Sequence, residues 1–219
     1  MIKQLAKKYW HIVFALYLPI YLVWFFTLEG ITYKYHTIHC FIDDYIPHVK
    51  YFIVPYMLWF PFMAACLIFF FFYSRKEFIQ YATALIVGMS ICLAIYSIYP
   101  SDVDIRPADF SGNDIFSKIL MFIYSMDTST NVCPSIHCLN SFLSCIAVLK
   151  CAFFKNKPVI KTIVLVLTTL IILSTFFLKQ HSVADCFWAM ILTAIIYVAV
   201  YIMPAKYLSN KQKKPDSAA

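Results

Sequence analysis

Residues 181–203 read HSVADCFWAMILTAIIYVAVYIM, an apolar run that opens with a histidine and carries an aspartate four positions later. A bilayer core about 30 Å thick needs roughly 20 apolar residues of helix to cross it. The run therefore predicts a membrane-spanning helix over residues 182–203, with His181 and Asp185 at its mouth. Ionisable side chains are costly there, so the pair indicates a functional site at the membrane surface.

Five further apolar runs are long enough to span a bilayer. Hydrophobic residues make up 62% of the 219 residues and charged residues only 13%, which is unlike a soluble domain. We expect an all-α polytopic membrane protein, a bundle of six transmembrane helices formed by a single domain over residues 1–219. The other five spans are expected at about residues 9–28, 51–73, 78–99, 135–154 and 159–178.

Basic residues set the expected orientation. With both termini in the cytoplasm, thirteen of the 18 lysine and arginine residues face inward, some of them in a basic tail over residues 204–219. Topology and anionic lipid then explain the net charge of +7, and no basic soluble face indicates nucleic-acid binding. We expect an integral protein of the plasma membrane, with the bilayer as its partner.

Two long connections, over residues 29–50 and 100–134, fall on the outer side in this topology. Arg106 lies in the second connection, and His137 opens the fourth span. Lys179 lies in the short turn before the sixth span, next to His181. Residues far apart in sequence can therefore converge at one membrane surface.

The spacing of His181 and Asp185 places them on one face of a helix. The carboxylate can accept a hydrogen bond from one ring nitrogen, which leaves the other nitrogen with an outward lone pair. A nucleophilic or basic histidine requires that arrangement. The alternative is a satisfied polar pair at a helix end.

Two upstream elements favour an anion site beside this pair. In the stretch PSIH at residues 134–137, proline suits a first helical turn, and free N–H groups with the Ser135 hydroxyl can bind an anion. His137 can then protonate a leaving oxygen. Arg106 offers a planar, permanently charged donor for phosphate oxygens. The structural alternatives are an ordinary helix start and an arginine paired with a loop aspartate.

Together these motifs resemble the type-2 phosphatidic acid phosphatase superfamily, which comprises integral lipid phosphatases and phosphotransferases with six spans. The family pattern is Lys-x6-Arg-Pro, then Pro-Ser-Gly-His, then Ser-Arg-x5-His-x3-Asp, and the resemblance covers about residues 99–185. It implies that His181 is the nucleophile that forms a phosphohistidine, that Asp185 orients it, and that His137 is the general acid. It also implies phosphate contacts from Arg106 and Ser135.

The chain departs from this pattern at its basic positions. The family lysine falls on Tyr99, the family glycine on Ile136, and the second arginine on Thr175. Lys179 is the candidate replacement for a missing phosphate contact. Fewer cations suit a phosphodiester, because an unpaired buried charge costs free energy. In this respect the chain resembles the sphingomyelin and inositol-phosphorylceramide synthase branch.

The expected function is that of an enzyme, a metal-independent lipid phosphatase that cleaves a phosphate ester at the outer interface and needs no cofactor. One alternative is a lipid phosphotransferase that moves a phospho-headgroup to an alcohol acceptor. Another is a non-catalytic membrane scaffold or transporter with a decayed site, which the missing lysine and arginine support best. Asp102, Asp104 and Asp109 are interpreted as a solvated acidic loop, so no metal site is expected.

Overall fold

The computed structural model describes residues 10–31, 34–108 and 110–205, so Asp109 and the predicted tail beyond residue 205 lie outside the described residues. Five of its helices are long and apolar enough to cross a membrane, which makes the chain an all-α integral membrane protein. Two shorter apolar helices complete the main architecture of the described residues. In chain order they are α1 (Trp10–Glu29), α2 (Lys50–Tyr73), α3 (Arg75–Ile98), α4 (Ile115–Met126), α5 (Ile136–Lys150), α6 (Pro158–Phe177) and α7 (Val183–Ala205).

The predicted fourth span, at residues 135–154, is a shorter element than the sequence indicated. Helix α5 has 15 residues and is followed by a separate 3-10 turn over Ala152–Phe154. At 1.5 Å per residue it rises about 22 Å, less than a bilayer core of about 30 Å. Five candidate spans are therefore present among the described residues, and the predicted sixth crossing is not confirmed.

Helix α5 lies at the centre of the bundle. It packs against α2, α3, α6 and α7, and ten of its 15 residues are buried. Gly88 on α3 permits the close approach, because a Cβ there would lie 2.9 Å from Leu139 Cδ2 and 3.1 Å from Ile196 Cδ1. The most enclosed helix is thus the one that His137 opens.

Helix α1 lies at the edge of the bundle. It contacts α3 through a hydrogen bond between Tyr17 Oη and Ser90 Oγ (2.9 Å) and another from Trp24 Nε1 to Ser97 Oγ (3.1 Å). Many of its large apolar side chains are exposed, as expected for a helix that faces lipid.

The two long connections meet at one end of the bundle. Strand β1 (His36–Thr37) pairs in parallel with β2 (Ser101–Asp102), and Asp102 forms a further bridge with Thr130. The second connection is not a plain loop, because it contains α4. Asp114 begins that helix by accepting hydrogen bonds from the amides of Phe116 and Ser117, at 3.1 and 3.2 Å.

Candidate active site

The starts of α5 and α7 are fixed by side-chain caps. Ser135 Oγ accepts a hydrogen bond from the Cys138 amide (3.3 Å). Ser182 and Asp185 form a capping box, in which the Asp185 carboxylate accepts from the Ser182 amide (2.9 Å). The Ser135 amide donates to the Asp185 carbonyl (3.2 Å), so the two helix starts are tied directly to each other.

This junction brings the predicted histidine pair together. His181 Nδ1 lies 3.3 Å from Asp185 Oδ2, and His181 Nε2 lies 3.2 Å from His137 Nδ1. The Asp185 side chain is fully buried and His181 is 6% exposed. In a neutral His181 the carboxylate favours the tautomer that carries its proton on Nδ1, which directs the Nε2 lone pair at His137.

The second nitrogen of His137 faces two residues that the sequence did not indicate, and a third contacts both of them. Its Nε2 lies 3.0 Å from Tyr56 Oη and 3.6 Å from Asp127 Oδ2. Tyr56 donates a hydrogen bond to Asp127. Gln180 Nε2 lies 3.2 Å from Tyr56 Oη and 3.4 Å from Asp127 Oδ2. Polar side chains thus surround His137 on both ring edges.

Those three residues carried only weak sequence signals. Tyr56 sits inside an apolar run, where an aromatic residue predicts packing. Asp127 is one of several acids in a long connection, with no spacing relative to a motif. Gln180 precedes His181, and its position in the turn was the one available signal.

Arg106 borders the site through Asp127. Its Nη2 donates to the Asp127 carbonyl (2.9 Å), and its guanidinium lies 4.3 Å from the centre of the Tyr124 ring. Burial lowers the pKa of Arg106 and the nearby Asp127 carboxylate opposes that shift, but a guanidinium stays charged in proteins. Its Nε has no protein partner among the described residues, so a donor is left for a phosphate oxygen.

Lys179 is directed to a different group. Its Nζ donates to the Asp43 carbonyl (2.6 Å), and its backbone is left-handed, with φ of 55°. The Asp43 carboxylate accepts from the Ser182 hydroxyl (2.5 Å) and the Val183 amide (2.9 Å). In this arrangement Lys179 fastens the first connection to the start of α7, and the structure does not bring its ammonium to the histidine pair.

The histidine pair lies at the polar end of a large apolar cavity. The cavity has a volume of about 660 Å³ and is lined by side chains of α1, α2 and α3. Its α2 wall runs from Trp59 to Phe72, about 20 Å at the helical rise. Of the predicted site residues, His137 and His181 line the cavity, whereas Arg106, Ser135, Lys179 and Asp185 do not.

The polar end of the cavity is closed by contacts between α1 and the second connection. Glu29 accepts hydrogen bonds from Thr128, Thr130 (3.4 Å) and Asn131 (3.1 Å). A lipid of the surrounding bilayer would thus meet an apolar channel that ends in carboxylates, hydroxyls and imidazoles. Such a shape suits an amphiphile whose head group is the reacting part.

Comparison with known families agrees with this geometry. The family model of the PAP2 superfamily matches residues 105–208, a region that contains Arg106, both histidines and Asp185. Residues 105–208 are thus similar to the PAP2 superfamily. The match confirms the resemblance to type-2 phosphatidic acid phosphatases and supports phosphatase or phosphotransferase chemistry on lipid-like substrates. Searches of curated proteins and of solved structures found no match to the chain.

Proposed function

We propose that this protein is a lipid phosphatase that cleaves a phosphate ester through a phosphohistidine on His181. The observation that carries the proposal is the alignment of Asp185, His181 and His137 at the polar end of an apolar cavity. The bias of basic residues supports cytoplasmic termini with this site at the outer face, and the membrane that we propose is the plasma membrane.

The proposed reaction has two displacements at phosphorus. His181 Nε2 attacks, the N–P bond forms, and the P–O bond to the lipid alcohol breaks while His137 donates a proton to the leaving oxygen. Water then attacks phosphorus, passes a proton to His137 and breaks the N–P bond, which releases inorganic phosphate. Proton transfer of this kind contributes about 10²–10⁴-fold to rate.

The 3.2 Å contact between the histidines sets a condition for catalysis. The attacking nitrogen is covered by His137, so the phosphoryl group has to enter between the two rings and move them apart. We infer that Arg106 and the amides at the start of α5 hold the equatorial oxygens, with the Ser135 hydroxyl as a further donor. These groups carry the charge in this scheme, and EDTA is expected to leave the rate unchanged.

Transfer of a phospho-headgroup to an alcohol acceptor is the second candidate function. The observation that favours it is the charge of the site, where Lys179 is bound to Asp43 while Asp127 and Glu29 line or border the polar end of the cavity. A singly charged phosphodiester is repelled less by these carboxylates than a doubly charged monoester is. Both functions pass through a covalent adduct of His181 with phosphorus, which carries the phosphoryl group in hydrolysis and the whole phospho-headgroup in transfer, and they differ in the acceptor.

A lipid panel with two readouts tests the proposal. Purified wild-type protein in mixed micelles is assayed for released phosphate and for headgroup transfer, and the phosphoenzyme is trapped as an acid-labile, alkali-stable adduct. His181→Gln should abolish turnover and trapping, whereas His39→Gln, an exposed histidine paired with Asp44, should retain both. A folded wild-type protein that neither hydrolyses nor transfers any phosphate would instead favour the non-catalytic scaffold.

A further inference from the structure

The hydrogen-bond chain does not end at His137 but continues to a carboxylate on the far side of its ring. His137 Nε2 lies 3.0 Å from Tyr56 Oη and 3.6 Å from Asp127 Oδ2, and Tyr56 donates to that same carboxylate. The order of groups is therefore Asp185, His181, His137, Tyr56 and Asp127. Each group contacts the next.

The direction of each hydrogen bond follows from the donors available. His181 Nδ1 faces the buried Asp185 carboxylate and carries a proton, and the attack proposed for His181 requires an unprotonated Nε2. His137 Nδ1 faces that lone pair at 3.2 Å and must therefore carry a proton itself. The protonation of His137 Nε2 remains to be assigned from its neighbours.

The single hydrogen of Tyr56 cannot satisfy both of its neighbours. When it is donated to Asp127, the Nε2 lone pair of a neutral His137 would face the Tyr56 oxygen with no proton between them. One added proton resolves this conflict. It lies either on His137 Nε2, opposite an ionised Asp127, or on Asp127, with Tyr56 then donating to His137.

Both arrangements contain one more proton than the combination of a neutral His137 with an ionised Asp127. We propose that Asp127, acting through Tyr56, holds in reserve the proton that His137 delivers to the leaving oxygen. This inference rests on the proposed function, since it assigns the source of the acid used there. Asp127 is a positioning residue, because in this scheme it acts through Tyr56 and His137 and not on the reacting phosphorus itself.

The surroundings of Asp127 fix it in this role. Its amide donates to the Ile123 carbonyl (2.8 Å) at the end of α4, and its carbonyl accepts from Arg106 (2.9 Å). Gln180, the neighbour of the nucleophile, lies within hydrogen-bond distance of both Tyr56 and the Asp127 carboxylate. The reserve proton is thus held by α2, α4 and the turn before α7 together.

The effect of the leaving group on the rate of phosphoenzyme formation distinguishes a proton-supplying role of Asp127 from a purely structural one. Phosphoenzyme formation is followed in a single turnover with dodecyl phosphate, whose alkoxide needs a proton, and with p-nitrophenyl phosphate, whose phenolate leaves without one. Asp127→Asn should slow the reaction of dodecyl phosphate about 10²–10⁴-fold and that of p-nitrophenyl phosphate less than about tenfold. Tyr56→Phe should shift the ratio of the two rates in the same direction, and it carries the test if Asp127→Asn does not fold.

The matched control is Asp104→Asn, an exposed aspartate of the same connection, which should leave both rates unchanged. An equal loss with both substrates, or no loss with either, would overturn the proton-reserve role. Failure of the proposed function looks different, because the wild-type protein would then form no phosphoenzyme or His181→Gln would still form it.

Discussion

At the scale of single residues, the cationic side chains of Arg106 and Lys179 make different contacts. Arg106 contacts the backbone of Asp127 and keeps a free donor, whereas the Lys179 ammonium is bound to the Asp43 carbonyl. We expect Arg106→Ala to lower kcat/KM about 10²–10³-fold, the usual cost of one transition-state donor. Arg106→Lys should recover only part of this, since it lacks the planar fork.

Thermal unfolding distinguishes the two cations. Lys179→Ala should lower Tm together with activity, while Arg106→Ala should lower activity with a smaller change in Tm. Lys118→Ala, on the exposed side of α4, is the matched control and should change neither. A Lys179→Ala variant with unaltered Tm and greatly reduced phosphate affinity would return Lys179 to the role of a direct phosphate contact.

The same scale shows why part of the site could be predicted from the sequence. His137, His181 and Asp185 stand out because polar side chains at the mouths of apolar runs are costly and rarely incidental. Tyr56 and Asp127 lack that contrast, since one is an aromatic residue among apolar neighbours and the other an acid among acids. Their meaning depends on distances to His137, which only the folded chain supplies.

At the scale of elements, Asp43 joins the first connection to the start of α7. Its carboxylate accepts from the Ser182 hydroxyl and the Val183 amide, and the residue is 2% exposed. Loss of such a cap costs about 1–2 kcal/mol, so Asp43→Ala should lower Tm by several degrees. Activity should fall as well, because His181 lies in the turn that this cap holds.

The control for that experiment is the adjacent acid. The Asp44 side chain is 63% exposed and pairs with His39 at the surface, so Asp44→Ala should leave Tm nearly unchanged. The measurement is thermal unfolding of both variants in the same detergent, followed by tryptophan fluorescence. Equal Tm values for the two variants would show that the contact does not stabilise α7.

Element boundaries were predictable where hydropathy decides them and not where packing does. The five long helices each correspond to a predicted apolar run, because an uninterrupted run of about 20 apolar residues is long enough to span a bilayer as a helix. Helix α4 was missed inside an acidic connection, although Asp114 caps it and Phe116, Leu120 and Tyr124 recur at helical spacing. Helix α5 ends early because Cys151 adopts an extended backbone, after which a separate 3-10 turn begins.

At the scale of the whole molecule, the cavity links the site to the membrane. Its polar end holds the histidine pair, and its apolar walls follow α1, α2 and α3 for much of their length. The sequence indicated that the site lies at a membrane surface, but the channel arises from α1 packing on α3 while leaving a gap toward α2. No local sequence pattern in α1 predicts that gap, since almost every side of this helix is apolar.

This cavity makes a prediction about the length of the substrate's apolar chain. Ala64 lies on the α2 wall of the cavity, about 7 Å along the helix from Trp59, which marks the polar end. A phenylalanine at this position would fill the channel below the head group. Overpacking of 1–3 kcal/mol corresponds to a loss of about 5- to 150-fold in kcat/KM for a long-chain lipid phosphate.

A short-chain phosphate ester does not reach Ala64, so its turnover by Ala64→Phe should remain close to that of the wild type. Ala65→Phe adds the same ring to the next residue of α2, on the exposed surface outside the cavity, and should spare both substrates. The ratio of long-chain to short-chain kcat/KM across the three proteins is the decisive quantity. If Ala64→Phe and Ala65→Phe give the same ratio, the apolar chain of the substrate lies elsewhere, because a ring placed in its path cannot leave a bound chain undisturbed.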